Sequence, residues 1–248
     1  MLAIIGGSGL TQLSNLEVSR RRVVRTPYGE PSGALTFGKI NGHDVVFLAR
    51  HGYGHTIPPH QVNYRANIWA LHAQGVTNVV SIASVGGIRH DFVPSALAIP
   101  EQVIDYTHGR AHTFFTLADG GVQHVDFTLP YCQKLRAACL QAAQRAGVSM
   151  IDAGVYAATQ GPRLETAAEI NRLERDGADM VGMTGMPEAV LAKEIGLCCA
   201  AVAVVANFAA GRGSNREGIA MNGITAVLQQ AMGQVRLVLE QLVAFDGG

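Results

Sequence analysis

The sequence lacks an excess of charge of either sign. Its 248 residues include 19 Lys or Arg and 19 Asp or Glu, and charged residues make up only 15% of the chain. Proteins that bind nucleic acid or anionic membranes through electrostatics usually carry a basic patch or stripe. We therefore expect neither nucleic acid nor a membrane surface as a partner.

Long apolar runs and paired cysteines are also missing. No apolar run in the sequence reaches the roughly 18 to 20 residues that cross a bilayer. Cys132, Cys139, Cys198 and Cys199 form no C-x-x-C pair and no zinc-like spacing, and no signal-peptide pattern opens the chain. These absences favour a soluble cytoplasmic protein with reduced thiols. Cys198 and Cys199 are neighbours in a predicted strand, so their side chains should point to opposite faces.

The chain does have 48% apolar residues and 29 glycines, which separate alternating strand and helix patterns. No linker or internal repeat is visible, so we predict one domain over residues 1–248. The alternation predicts an α/β fold, a three-layer sandwich in which helices cover both faces of a mixed, mostly parallel sheet. Strands are predicted near 1–5, 34–40, 44–49, 78–84, 97–104, 154–159, 179–183 and 198–206, and helices near 62–74, 129–147, 166–176, 187–195 and 219–244.

Two predicted strand ends carry groups that suit an anion. The turn Gly6–Gly9 follows the first strand and presents backbone N–H groups with the Ser8 hydroxyl, although a glycine turn alone is more often structural. Arg50 and His51 follow the strand 44–49, and an Arg guanidinium suits bidentate phosphate binding. The alternative for this pair is a surface ion pair beside a solvated histidine.

Three histidines within ten residues, His51, His55 and His60, raise the question of a metal site. Glycines and Pro58-Pro59 lie between them, and no carboxylate accompanies them. This spacing cannot present two imidazoles one helical turn apart, as helical zinc sites do. We therefore expect no metal.

Asn207 ends an apolar strand with a side chain that can both donate and accept hydrogen bonds. Such a carboxamide suits a flat heterocycle, and capping of the following turn is the competing explanation. Glu165, which follows Gly161-Pro162, fits either a ligand contact or the favoured acidic position in the first turn of a helix. Met183 on its own is typical of core packing.

Five longer motifs occur together in the chain. With all of them in order, the sequence resembles the trimeric purine nucleoside phosphorylase and methylthioadenosine phosphorylase family nearly from end to end. The resemblance implies a homotrimeric pentosyltransferase in which phosphate attacks the anomeric carbon of a purine nucleoside. It implies no metal and no organic cofactor, with inorganic phosphate as co-substrate. The motifs are Gly6–Gly9, Ala49–Gly52, Asn63–Leu71, Gly161–Thr166 and Met183–Lys193.

The resemblance also implies roles for individual residues. It assigns His51 and Asn207 as catalytic residues and Met183 as the ribose contact. The implied phosphate site consists of Ser8, Arg50, His51, Ala83 through its backbone, and Thr184. The implied base site consists of Leu164, Glu165, Asn207, Phe208 and Ala209.

Three positions bear on the choice of base. The methylthioadenosine enzymes of the family have Asp where this chain has Asn207 and Ala209, and Ser where it has Glu165. Asn207 can donate to a purine O6 while its carbonyl accepts from N7–H, and Glu165 can accept N1–H. Adenine N1 has only a lone pair to offer Glu165, so we expect a 6-oxopurine.

The residues expected around the sugar 5′ group differ from those of ordinary 6-oxopurine enzymes, which use a histidine there. This chain offers apolar residues, which suit a methylthio group better than a hydroxyl. His55 and, from a neighbouring subunit, His124 match positions of the methylthio pocket. The apolar residues are Ile219, Ala220, Met221 and Ile224.

Together, the residues expected at the base and those expected around the 5′ group predict phosphorolysis of S-methyl-5′-thioinosine. The products would be hypoxanthine and 5-methylthioribose 1-phosphate, in purine salvage after deamination of methylthioadenosine. The nearest alternative is an inosine and guanosine phosphorylase, followed by a methylthioadenosine phosphorylase. A nucleoside hydrolase and a non-catalytic nucleoside-binding protein are alternatives of another class. Neither needs a phosphate site, so phosphate-dependent product formation separates them from a phosphorylase.

Overall fold

The computed structural model describes residues 1–115 and 121–244, apart from the side chain of Met221. Within these ranges it contains eleven strands, five α-helices and one 3-10 turn at Pro59–Gln61. The strands are β1 Leu2–Gly6, β2 Glu17–Arg22, β3 Leu35–Ile40, β4 His43–Ala49, β5 Asn78–Gly87, β6 Leu97–Ile99, β7 Gln102–Asp105, β8 Met150–Asp152, β9 Val155–Ala158, β10 Met180–Gly182 and β11 Cys198–Phe208. The helices are α1 Tyr64–His72, α2 Gln133–Arg145, α3 Ala167–Arg175, α4 Gly185–Glu194 and α5 Met221–Leu242.

The strands form one mixed sheet in the order β2-β3-β4-β1-β5-β10-β9-β7, and β11, β6 and β8 branch from β5. Strand β1 runs parallel to β4 and β5, and β11 runs parallel to β5. Strands β7, β9 and β10 are parallel to one another, whereas the β2-β3-β4 edge and the β5-β10 pair are antiparallel. The expected α/β fold with a mixed, mostly parallel sheet is confirmed.

Helices cover both faces of the sheet, as side-chain alternation along β1 shows. Leu2 and Ile4 face the cluster formed with α2 and α5, whereas Ala3 and Ile5 face the cluster formed with α1 and α4. All five residues of β1 are buried. A parallel strand covered on both faces needs such a continuous apolar sequence.

Several elements differ from the prediction. The single strand expected over 97–104 is two strands, β6 and β7, on either side of Pro100, which has no N–H for a sheet hydrogen bond. The helix expected from 129 begins at Gln133, because Cys132 is extended and its N–H donates to the Cys199 carbonyl at 2.8 Å. Strands β2 and β8 were not predicted. All six residues of β2 are exposed, so the strand has no buried alternation to detect.

The expectation that all four cysteines are reduced thiols is wrong in this structure. Cys132 and Cys198 form a disulfide with a Cα–Cα distance of 5.2 Å across 66 residues of chain, while Cys139 and Cys199 are free and buried. A pairing over such a separation has no signature in local spacing. The predicted opposite orientation of the neighbouring pair is confirmed, because Cys198 packs on the α2 and α5 side and Cys199 on the α1 and α4 side.

In the ranges given above, no helix is long and apolar enough to cross a membrane.

Candidate active site

A cavity of about 610 Å³ opens where several strands end at one edge of the sheet. Ser8 follows β1, Arg50 and His51 follow β4, and Asn207 lies near the end of β11. Because β1, β4, β5 and β11 are parallel, their carboxyl ends meet at this edge, where open α/β sheets bind ligands.

Arg50 lines this cavity and is 1% exposed. Its Nε and Nη2 donate to the two carboxylate oxygens of Glu188 at 2.8 and 2.9 Å. Nη2 also donates to Ser81 Oγ at 2.7 Å, and Nη1 donates to the Ile82 carbonyl at 2.9 Å. The Ser81 hydroxyl in turn donates to Glu188, which completes a buried three-residue network.

This network corrects two expectations about Arg50. The arginine is not part of a surface ion pair, because both Arg50 and Glu188 are buried. Nor is a bidentate edge free for phosphate, because Glu188 already occupies the Nε–Nη2 edge. A guanidinium has five N–H donors, and the described contacts leave one Nη1 N–H uncommitted.

His51 is held as a neutral imidazole next to this arginine. Burial and the nearby Arg50 charge lower the pKa of His51 to about 4. Its Nδ1 lies 2.8 Å from the Ile57 carbonyl, which can only accept, so Nδ1 carries the proton and Nε2 is the acceptor. At neutral pH His51 therefore offers a lone pair rather than a positive charge.

The glycine turn after β1 lets the chain approach Arg50 closely. A Cβ on Gly7 would lie 2.7 Å from Arg50 Nη1 and 2.5 Å from the Ile82 carbonyl oxygen, so only glycine fits. The Ser8 hydroxyl lies 3.5 Å from His55 Nε2, and the His55 ring lies 4.6 Å from the His51 ring. Burial and Arg50 also lower the pKa of His55.

Glu165 and Asn207 line the same cavity. One Glu165 oxygen, Oε1, accepts from the Thr159 hydroxyl at 2.7 Å. Asn207 Nδ2 donates to the Phe208 carbonyl at 2.6 Å, which leaves Oδ1 and the second N–H for another partner. Asn207 thus makes a local backbone contact, as the alternative explanation expected, and still faces the cavity.

Another part of the cavity wall is apolar. Ile219, Ile224 and Leu228 from the loop before α5 and from α5 itself lie there, and Ile57 contributes from the loop after β4. His55 also lines the cavity, while His124 is exposed and does not. The side chain of Met221 lies outside the described residues, and Ala220 is exposed at the start of α5.

Most residues predicted for the site line this one cavity. Four described residues do not: Ala83 is buried in β5, where Ser84 lines the cavity instead, Phe208 packs against Gly213, and His124 and Ala220 are exposed outside the cavity. Phe208 directly follows Asn207 at the end of β11, and neighbouring side chains of a strand point to opposite faces. The predicted residues that line the cavity are Ser8, Arg50, His51, His55, Leu164, Glu165, Met183, Thr184, Asn207, Ala209, Ile219 and Ile224.

Sequence reasoning missed Arg110, which joins the loops around the cavity. Its guanidinium donates to the Met183 and Met186 carbonyls at 2.8 and 2.6 Å and to the Gln160 carbonyl at 2.9 Å. It also contacts the Tyr64 hydroxyl at 3.3 Å.

Glu188 and Thr159 were missed as well. Glu188 lies inside the motif Met183–Lys193, but nothing in the sequence pairs it with Arg50.

Over the described part of the chain, no group of three His, Cys, Asp or Glu side chains has the arrangement of a metal site. His51 and His55 are close, but their described polar contacts are with the Ile57 carbonyl and the Ser8 hydroxyl, and the positively charged Arg50 lies nearby. The polar groups that line the cavity include the Ser8 and Thr184 hydroxyls, the Asn207 carboxamide, the Glu165 carboxylate and the Arg50 guanidinium, whose charge Glu188 compensates.

Comparisons with known proteins agree on one family. A family model described as the phosphorylase superfamily matches residues 1–244. A protein of Xanthomonas campestris pv. campestris, named a probable S-methyl-5′-thioinosine phosphorylase, is 55% identical over 87% of this chain and 86% of its own. The 6-oxopurine nucleoside phosphorylase of Pyrococcus furiosus is 46% identical over 85% and 80%. The methylthioadenosine phosphorylase of Schistosoma mansoni, solved with adenine, superposes with a TM-score of 0.93 at 33% identity, covering 98% of this chain and 90% of that one.

Proposed function

The chain belongs to the phosphorylase superfamily, and on that premise we propose that it catalyses the reversible phosphorolysis of S-methyl-5′-thioinosine. The products are hypoxanthine and 5-methylthioribose 1-phosphate. One observation supports this substrate above the others: a single cavity combines Glu165 and Asn207 with an apolar wall that contains Ile219, Ile224 and Leu228. The relatives named for this activity support the same choice.

The base is recognised by complementary hydrogen bonds. Asn207 Oδ1 accepts from N7–H and its free N–H donates to O6, since its other N–H is committed to Phe208. The free oxygen of Glu165 accepts from N1–H of hypoxanthine. An adenine N1 lone pair would instead oppose the carboxylate, a mismatch that costs about 1–3 kcal/mol or more in a buried site.

The 5′ group lies against the apolar wall. A methylthio group buries apolar surface on Ile219, Ile224 and Leu228, whereas a 5′-hydroxyl would need a donor or acceptor there. A hydroxyl in an apolar pocket is rejected only moderately, so we expect inosine to be a slow substrate rather than an excluded one.

Phosphate is the nucleophile, and this chain holds it mainly with neutral donors. Ser8 and Thr184 offer hydroxyls, Arg50 offers its one uncommitted N–H, and His51 Nε2 accepts from a protonated phosphate oxygen or a ribose hydroxyl. Positioning of the anion against a cationic sugar is the main catalytic contribution, and Asn207 stabilises the departing base. The reaction requires no metal or organic cofactor. A cytoplasmic homotrimer, in which His124 reaches a neighbouring cavity, forms part of the proposal.

The direct test measures base release from methylthioinosine, methylthioadenosine and inosine, each with and without phosphate. We expect the highest kcat/KM for methylthioinosine and no release without phosphate. A preference for inosine would favour the alternative of a 6-oxopurine nucleoside phosphorylase, which is the activity named for the Pyrococcus furiosus relative. A preference for methylthioadenosine would mean that Glu165 and Asn207 do not read the base. Base and free sugar formed without phosphate would indicate a hydrolase, and no turnover a binding protein.

A further inference from the structure

Glu165 forms a boundary between two cavities. Its side chain lines the candidate active-site cavity and also a second cavity of about 450 Å³. Thr159 lines only the second cavity, so it lies behind Glu165 as seen from the active site. Thr159 therefore acts on the substrate indirectly, through the residues that it contacts, and Glu165 is the one whose side chain its hydroxyl contacts.

The hydroxyl of Thr159 is committed to that carboxylate. A threonine hydroxyl has one proton to donate, and Oγ1 lies 2.7 Å from Glu165 Oε1 but 3.3 Å from the Gly182 carbonyl. The Thr159 backbone is fixed as well, because its N–H donates to Gly182 at 2.8 Å. A β-branched side chain on a fixed backbone has few rotamers, so the hydroxyl has a defined position.

No other described side chain competes for Glu165. The nearby Arg163 instead donates to both carboxylate oxygens of Glu169, at 2.7 and 2.8 Å. Among the hydrogen bonds of the described residues, Glu165 Oε2 receives none. The carboxylate therefore has one anchored oxygen and one oxygen that is free to accept from a ligand.

We propose that Thr159 is a positioning residue for base selection: by holding Oε1, it presents Oε2 of Glu165 to the N1–H of a 6-oxopurine. The inference rests on the proposed function, because it assumes that Glu165 hydrogen bonds to the base. A terminal carboxylate torsion is broad and nearly free when unanchored. A carboxylate without the Thr159 bond would turn away from adenine N1 and lose part of its discrimination.

The test compares Thr159→Val, which keeps the shape and removes the hydroxyl, with Thr159→Ser, which keeps the hydroxyl. We measure kcat and KM separately for methylthioinosine and methylthioadenosine at saturating phosphate. Thr159→Val removes a hydrogen bond to a charged group. We expect the ratio of kcat/KM for methylthioinosine to that for methylthioadenosine to fall by about tenfold, mainly through KM. Thr159→Ser should restore the wild-type preference. If Thr159→Val does not fold, Thr159→Ala removes the same hydroxyl.

A double-mutant cycle with Glu165→Ala separates this inference from the proposed function. Once the carboxylate is gone, Thr159→Val should cause no further change in preference. An unchanged preference in Thr159→Val, or an equal loss in Thr159→Ser, would overturn the inference while leaving the proposed function intact. An unchanged preference in Glu165→Ala alone would instead show that Glu165 does not select the base, which contradicts the proposed function. Calorimetric binding of hypoxanthine and adenine repeats the comparison without turnover.

Discussion

At the scale of single residues, the orientation of one carboxamide decides what the base end of the cavity can bind. A backbone carbonyl can only accept, so the 2.6 Å contact with Phe208 identifies which end of Asn207 is the nitrogen. Asn215 Nδ2 donates to the same carbonyl. The free acceptor of Asn207 is therefore fixed by its neighbours before any ligand arrives.

Asn207→Asp tests this orientation. An aspartate cannot donate to the Phe208 carbonyl or to a purine O6, so two hydrogen bonds are lost and each is replaced by a contact between two acceptors. We expect kcat/KM for methylthioinosine to fall by roughly 10- to 100-fold, in line with about 1–3 kcal/mol for an unmatched polar contact. Steady-state kinetics checks this, with Asn215→Asp as the control that perturbs the same carbonyl outside the cavity wall. A fall of equal size in the control would assign the loss to the loop instead.

His51 makes stability depend on pH through its proton. Its pKa is about 4 in the folded chain and near 6.5 when unfolded, so between these values the unfolded chain binds more protons. The contribution of His51 to the free energy of unfolding is therefore fully present above pH 6.5. It is lost as the pH drops towards 4, by about 3 kcal/mol in total. Urea unfolding at several pH values should show a shallower fall for His51→Gln than for the wild type. Identical slopes would mean that another group controls the transition.

At the scale of elements, the buried Arg50–Glu188 pair ties the end of β4 to α4. Glu188→Gln leaves the guanidinium without a counter-charge in the protein interior, where such a loss typically costs about 3–5 kcal/mol. Phosphate should recover part of this loss by supplying a negative charge that binds only the folded state. Unfolding measured with and without phosphate checks both effects. Glu174→Gln, which breaks the exposed pair with Arg212, is the control and should cost less than about 1 kcal/mol.

The same elements show what the sequence could and could not predict. The apolar run before Gly6 identifies β1, and Asn41-Gly42 identifies the β3-β4 hairpin, where both residues have positive φ of 49° and 80°. Such features are local, so sequence predicts them. The partner of Arg50 is 138 residues away, and the disulfide partner of Cys132 is 66 residues away. Pairings of this kind depend on how strands and helices assemble, so residue spacing along the chain does not predict them.

At the scale of the whole molecule, β11 connects two distant features of the protein. It begins at Cys198, which is bonded to Cys132 before α2, and it places Asn207 in the cavity near its other end. At about 3.3 Å per residue, the two ends of the strand lie roughly 30 Å apart. Neither cysteine of the disulfide lines the active-site cavity. The disulfide should therefore affect the stability of the molecule without affecting its chemistry.

Reduction of the disulfide tests this separation. Closing a loop of 66 residues restricts the unfolded chain, and on the chain-entropy model its release costs roughly 4 kcal/mol. We expect dithiothreitol to lower the midpoint of urea unfolding while kcat/KM for methylthioinosine stays within about twofold, because β11 keeps its pairing with β5 along its length. The Cys132→Ser, Cys198→Ser double variant should match the reduced wild type and should not respond to dithiothreitol. A loss of activity that parallels the loss of stability would show that the two ends of β11 are coupled.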